Sequence, residues 1–137
     1  DDYDLSIPNS NNHKRSDLNQ RIKLINESDC SLFLSIHLNA DISESWYGAQ
    51  VFYDDVNSEN VVLAEYLQKE FSSSLNSRRN IKQISNLYLY RKALRPGILV
   101  EVGFLSNSNE RYLLRQDSYQ KKIADTITTG VINYLSK

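Results

Sequence analysis

The stretch Ile98-Leu99-Val100-Glu101-Val102-Gly103-Phe104 decides how this chain folds. It is short, almost wholly apolar, and follows the turn pair Pro96–Gly97. Such a run, bounded by turn residues, reads as a buried strand. Leu32 to Leu38 (LFLSIHL) has the same character far upstream. Two further strands are expected, Ala49 to Tyr53 after Gly48 and Leu87 to Tyr90. Helical patterns fill the spaces between. Ser16 is placed to cap a helix from Asp17 to about Glu27, with Leu18, Ile22 and Ile25 on one face. Ser58 to about Leu75 is a long helix with Val62, Tyr66, Leu67 and Phe71 on a stripe. Asn107 to Gln116 reads as a short helix. Asp117 and Gln120 form a capping-box pattern before a last helix to Leu135, with Ile123, Ile127, Val131 and Tyr134 facing inward. Asp1 to Arg15 is polar, turn-rich and expected to be a loop. Helices alternating with apolar strands predict an α/β fold: a mostly parallel or mixed twisted sheet flanked by helices on both faces.

At 137 residues the chain has the size of one domain, with 40 % hydrophobic and 24 % charged residues. A net charge of −1 provides no basic field for nucleic acid. No apolar run reaches the roughly 18 residues of a membrane span. The single cysteine, Cys30, excludes an internal disulfide framework. The sequence has no methionine and opens on Asp1, which predicts a processed or partial product.

Two residues do not suit their strands. Glu101 interrupts the ILVEVGF run, and an ionised carboxylate is costly to bury unless paired or near a metal. His37 sits equally late in its own strand, before Asn39 and Ala40. In parallel strands both would reach the carboxyl edge of the sheet, where ligand sites of α/β folds collect. Each alone has an ordinary explanation: a hydrogen-bonded core histidine, and a glutamate paired with Arg91, Arg95 or Arg111. Together they point to a site. Cys30 is a poor metal partner for His37, because seven residues along one strand would put them on opposite faces. His13, beside Lys14 and Arg15, reads as a solvated loop histidine. Trp46, Tyr47, Tyr88 and Tyr90 are candidates for stacking on a sugar ring. The charge run Arg78 to Lys82 reads as a solvated turn. Ser35 lacks a glycine-rich elbow, and no phosphate loop or dinucleotide pattern occurs.

At SIHLNA (Ser35 to Ala40), GAQVFY (Gly48 to Tyr53) and LVEVGFLSN (Leu99 to Asn107) the chain resembles the zinc-dependent N-acetylmuramoyl-L-alanine amidases of bacterial cell walls. SDLNQRIKLINES and YQKKIADTITTGVINYL fit the same pattern. Within the family it is most similar to the germination-specific amidases of spore-forming bacteria. The resemblance implies a zinc cofactor, with His37 as a metal ligand and Glu101 as the catalytic glutamate. The family's other histidine ligand, in a Gly-His-Gly loop, and its zinc-binding glutamate have no counterpart here. Residues 1–137 therefore correspond to the C-terminal two-thirds of a single amidase catalytic domain. The resemblance further implies peptidoglycan as substrate and a cell-wall or spore-envelope location outside the cytoplasm. The implied reaction is hydrolysis of the amide between N-acetylmuramic acid and L-alanine, in spore cortex processing. Additional partners would be a docked N-terminal fragment or an accessory protein; no substrate-binding residue is implied. The alternative from another class is a non-catalytic α/β module that binds glycan or protein, in which His37 and Glu101 are remnants.

Overall fold

The computed structural model describes residues 13–85 and 87–137. The elements run α1 (His13–Glu27), β1 (Phe33–Asn39), β2 (Gln50–Tyr53), α2 (Ser58–Ser74), β3 (Lys82–Gln83), α3 (Tyr88–Lys92), β4 (Gly97–Phe104), α4 (Ser108–Leu114) and α5 (Asp117–Leu135). The strands form one sheet in the order β1-β4-β2-β3. β1 runs parallel to β4, β2 antiparallel to β4, and β2 parallel to β3. The sheet is mixed and the fold is α/β, as the alternation of elements predicts.

Strand alternation separates the two faces of the sheet. Val51, Ile98, Val100 and Val102 point into a core with Leu63, Ala64, Leu67 and Phe71 of α2 and Ile123 and Ile127 of α5. α2 forms because Leu63, Leu67 and Phe71 recur at four-residue spacing and because Asn57 caps it, its Oδ1 accepting from the Glu59 N–H at 2.9 Å. α2 and α5 approach closely at Gly130, where an added Cβ would lie 3.1 Å from the Leu67 Cα. On the opposite face, Phe33 stacks on Tyr90 of α3 at 5.5 Å between ring centroids. Tyr88 binds Asn19 of α1 through its hydroxyl at 2.8 Å. Buried polar side chains complete the backbone pairing. Gln68 accepts from the Val51 N–H and donates to the Ala49 carbonyl; Asn60 accepts from the Gly97 N–H and donates to the Asp54 carbonyl.

Gly97 is required by packing. A Cβ there would lie 2.0 Å from the Phe33 ring, which is itself held against Tyr90. Gly97→Ala is expected to cost about 2 kcal/mol through overpacking. Chemical denaturation would show this as a lower midpoint at unchanged slope; an unchanged midpoint would show that the ring moves aside freely.

Several expectations are corrected. α1 begins at His13, so His13 to Arg15 are helical and Ser16 is a buried residue within the helix rather than its cap. Residues 1–12 of the expected loop lie outside the described residues. Leu87 to Tyr90 does not form a strand. It is a helical turn, with Arg91 N bonded to Leu87 O and Ala93 N to Leu89 O, while the strand in this region is Lys82–Gln83. A four-residue apolar run carries too little periodicity to separate the two, and packing of Tyr90 on Phe33 decides it. α5 starts at Asp117, but no side chain caps it: Gln120 instead donates to the Leu114 carbonyl. β1 is an edge strand rather than a buried one. Among the described residues only β4 flanks it, leaving Ile36 58 % and Leu38 52 % exposed. The stripe of α5 behaves as expected, with Ile123, Ile127 and Tyr134 buried and Val131 packed against the core.

Candidate active site

His37 and Glu101 are register partners in the parallel β1–β4 pair, near the carboxyl ends of both strands. Their side chains therefore share one face of the sheet, on strands about 4.8 Å apart. On the far side of Glu101, Gln50 is its partner in the antiparallel β2–β4 pair. Three polar side chains thus form a row across β1, β4 and β2. Immediately beyond the row the β1–β4 register slips by one residue, from His37↔Glu101 to Asn39↔Phe104. Such a bulge ends regular pairing and re-aims the chain that follows.

Glu101 is half-buried, and its Oε2 is buried without a hydrogen-bond partner. Burial raises its pKa above the ordinary carboxylate value, and the neighbouring His37 offsets part of the rise. The arginines that could have neutralised it are engaged elsewhere. Arg91 pairs with Asp54 and Asp55, Arg95 donates to the Ser28 carbonyl, and Arg111 to the Leu105 carbonyl. A buried carboxylate oxygen left unpartnered carries a real desolvation cost and marks a place where something else is bound or moved. His37 is exposed, and its Nε2 shares a 2.8 Å hydrogen bond with Ser35 Oγ. Tyr90 lies behind this cluster. Burial pushes its phenol up to about 12; the Ser35 side chain offsets part of the shift and the Glu101 charge adds to it.

These residues suit one metal ligand and one base, but not a complete zinc centre. A catalytic zinc takes about three protein ligands. Among the described residues, no three His, Cys, Asp or Glu side chains gather closely enough to hold an ion. Cys30 does not join His37: its Sγ turns to the Ile25 carbonyl at 3.7 Å. The aromatic candidates also separate. Tyr88 lies under Arg15, and Tyr90 is buried on Phe33, while Trp46 and Tyr47 remain about half exposed.

Sequence reasoning missed three contributors. Gln50 gives no local signal, because its importance comes from its cross-strand partner. Arg79, within the run read as a solvated turn, is half-buried. Its Nε donates to the Tyr47 carbonyl at 2.7 Å and its Nη1 to Gln50 Oε1 at 3.2 Å. Glu110, in the first turn of α4, accepts from the Gly48 N–H at 2.7 Å and the Phe104 N–H at 2.6 Å. It ties the aromatic loop to the end of β4. Glu110→Gln retains only one oxygen and turns an amide N–H toward a backbone N–H. It is expected to lose about 1–3 kcal/mol. Equilibrium unfolding in urea checks this, and unchanged stability would show that the carboxylate bonds are worth no more than water.

The family model described as N-acetylmuramoyl-L-alanine amidase matches residues 2–133. The germination-specific N-acetylmuramoyl-L-alanine amidase of Bacillus subtilis (strain 168) is 46 % identical over 125 residues, which is 90 % of this chain and 53 % of that protein. The chain thus spans about half the length of that relative. The structure of the CwlD amidase from Clostridioides difficile, in complex with the GerS lipoprotein, superposes with a TM-score of 0.89 at 34 % identity, covering 99 % of this chain and 72 % of the other. The catalytic domain of CwlV, an N-acetylmuramoyl-L-alanine amidase from Bacillus (Paenibacillus) polymyxa var. colistinus, superposes with a TM-score of 0.77 at 28 % identity, covering 87 % and 65 %.

Proposed function

The chain belongs to the N-acetylmuramoyl-L-alanine amidase family, and on that premise we propose that it is part of a peptidoglycan amidase centre in which Glu101 is the general base. The reaction is hydrolysis of the amide between the lactyl group of N-acetylmuramic acid and the first L-alanine of the stem peptide. The observation that carries this reading is the buried, unpartnered Oε2 of Glu101 beside His37. A carboxylate with a raised pKa can take a proton from attacking water and return it to the leaving amine. Unengaged by any arginine, Glu101 is free to do both.

His37 is proposed as one ligand of a zinc ion. The described residues supply no complete ligand set, so no step is assigned to the metal. Residues 1–137 are proposed to be the C-terminal two-thirds of one catalytic domain, a reading supported by the 72 % and 65 % of the two similar amidase structures that the chain covers. Similarity to a germination-specific enzyme supports spore cortex as the substrate and the cell wall or spore envelope as the location. Among the described residues, no helix is long and apolar enough to cross a membrane. The half-exposed Ile36 and Leu38 on the edge strand support a docked N-terminal segment or an accessory protein as a partner.

Digestion of purified peptidoglycan by the native protein, followed by mass spectrometry, tests the function. The expected products are glycan with free lactyl carboxylates and peptides with new L-alanine amino termini. Cleavage at glycosidic or other peptide bonds would overturn the assignment. The absence of three gathered ligands favours one second reading, a binding module. Metal-independent retention on peptidoglycan without cleavage would establish that alternative.

A further inference from the structure

A cleft of about 590 Å³ opens beside the polar row, between the Ser45–Tyr47 loop and the segment Arg78–Lys82, with Gln50 in its wall. Three features give it a chemical character. Among the described residues its lining carries three cations, Arg78, Arg79 and Lys82, and no carboxylate. Trp46 and Tyr47 present rings that are 51 % and 54 % exposed. The Arg79 guanidinium lies 5.0 Å from the centre of the Trp46 ring and 4.7 Å from that of the Phe104 ring. Its Nε and Nη1 are committed to Tyr47 and Gln50, and among the described residues Nη2 makes no hydrogen bond.

The aromatic loop is held in place from several sides. Asn107 Nδ2 donates to the Glu44 carbonyl, Arg79 to the Tyr47 carbonyl, the Gly48 N–H to Glu110, and Ser77 Oγ to the Ala49 carbonyl. Gly48 permits this path through a positive φ of 102°. Exposed rings on an anchored loop bind with little ordering cost, unlike rings on a free one. The cleft also adjoins the reaction centre. Gln50, which Arg79 holds, is the register partner of Glu101. At about 4.8 Å between strands, a ligand at Arg79 lies roughly 10 Å from that carboxylate.

We propose that this cleft is the subsite for the carboxylate-bearing peptide arm of the substrate, with a peptide carboxylate at the Arg79 guanidinium edge and flanking peptide on the Trp46 and Tyr47 faces. The proposal rests on the amidase reading and deepens it. Sugar hydroxyls accept hydrogen bonds and sugar rings stack on aromatics, but they carry no charge to match three lining cations, whereas a peptide ends in a carboxylate and also offers amide planes to aromatic rings. A guanidinium is planar, so its edge donors present the geometry that a carboxylate matches. The arm held here is the leaving side of the cleaved amide, so the cleft would align the scissile bond with Glu101.

Trp46 is the only tryptophan of the chain, so its emission reports on the cleft without any turnover. A muramoyl tripeptide with free carboxylates should shift the emission saturably, and added salt should weaken the binding. The same peptide with its carboxylates amidated should bind at least about tenfold more weakly. Arg79→Gln should abolish the response. Because that change also releases the Tyr47 loop, the exposed pair is a second test: R78Q/K82Q should raise the Kd roughly five- to tenfold. Equal affinity for the free and amidated peptides, an equal response to a peptide-free disaccharide, or no saturable shift would each overturn the subsite. The peptidoglycan digest separates the two claims. Cleavage without peptide binding to the cleft sinks only the subsite; carboxylate-dependent binding without cleavage sinks only the amidase reading.

Discussion

Glu101→Gln in the native protein is expected to lose roughly 10²–10⁴-fold in amide cleavage while keeping its fold. The substitution is nearly isosteric and removes only the ability to hold and release a proton. The structure indicates why the fold should tolerate it. Among the described residues Glu101 makes no salt bridge and its Oε2 has no hydrogen bond to lose, and its charged form is disfavoured by burial. A neutral amide there relieves that cost, so thermal stability should be equal or slightly higher. Rate and melting temperature, measured on the same preparation, separate a chemical loss from a structural one. Near-normal turnover in the variant would remove Glu101 from the role of base.

His37→Ala is expected to weaken zinc binding by more than about 100-fold. That figure is a lower bound, because residues that merely orient a ligand are already worth about 10–100-fold. His37 is exposed and its polar contact is with Ser35, so truncation should disturb packing little. Competition with a chelator of known affinity reads the change directly, and circular dichroism checks that the sheet is intact. Unchanged affinity would show that the imidazole is not a ligand. Elemental analysis of the unmodified chain provides the baseline. About one zinc per chain means that the site is completed by residues beyond the described set. No zinc means that this chain alone can only bind.

The parts of this molecule legible in its sequence are those determined by local pattern. ILVEVGF and LFLSIHL read as strands because apolar runs of that length have few other uses, and Glu101 and His37 stood out because each breaks such a run. That both would reach the carboxyl edge of the sheet was expected on the condition that the strands were parallel; their pairing in register is seen only in the structure. What escaped is non-local. Gln50 matters through its neighbour across the sheet, and Arg79 through two rings separated from it in sequence. Glu110 looked like an ordinary first-turn acid of α4, yet its two oxygens bind backbone at Gly48 and Phe104. Leu87 to Tyr90 failed because a four-residue apolar run is too short to distinguish strand from helical turn, and the packing of Tyr90 on Phe33 goes with the turn.

The central place of β4 has a consequence for the order of events during synthesis. β1 and β2 both pair with β4 and not with each other. When β1 leaves the ribosome its described partner, β4, has not yet been made: Gly97 follows Asn39 by more than fifty residues. Among the described residues, a nascent chain halted before Gly97 has the two-residue β2–β3 ladder as its strand pairing. The β1–β4 and β2–β4 ladders are therefore deferred until β4 arrives, and parallel pairing over so long a connection is intrinsically slow. During that interval the apolar strands are open to the wrong neighbours, so the pace of elongation and access to chaperones bear on the yield of this protein.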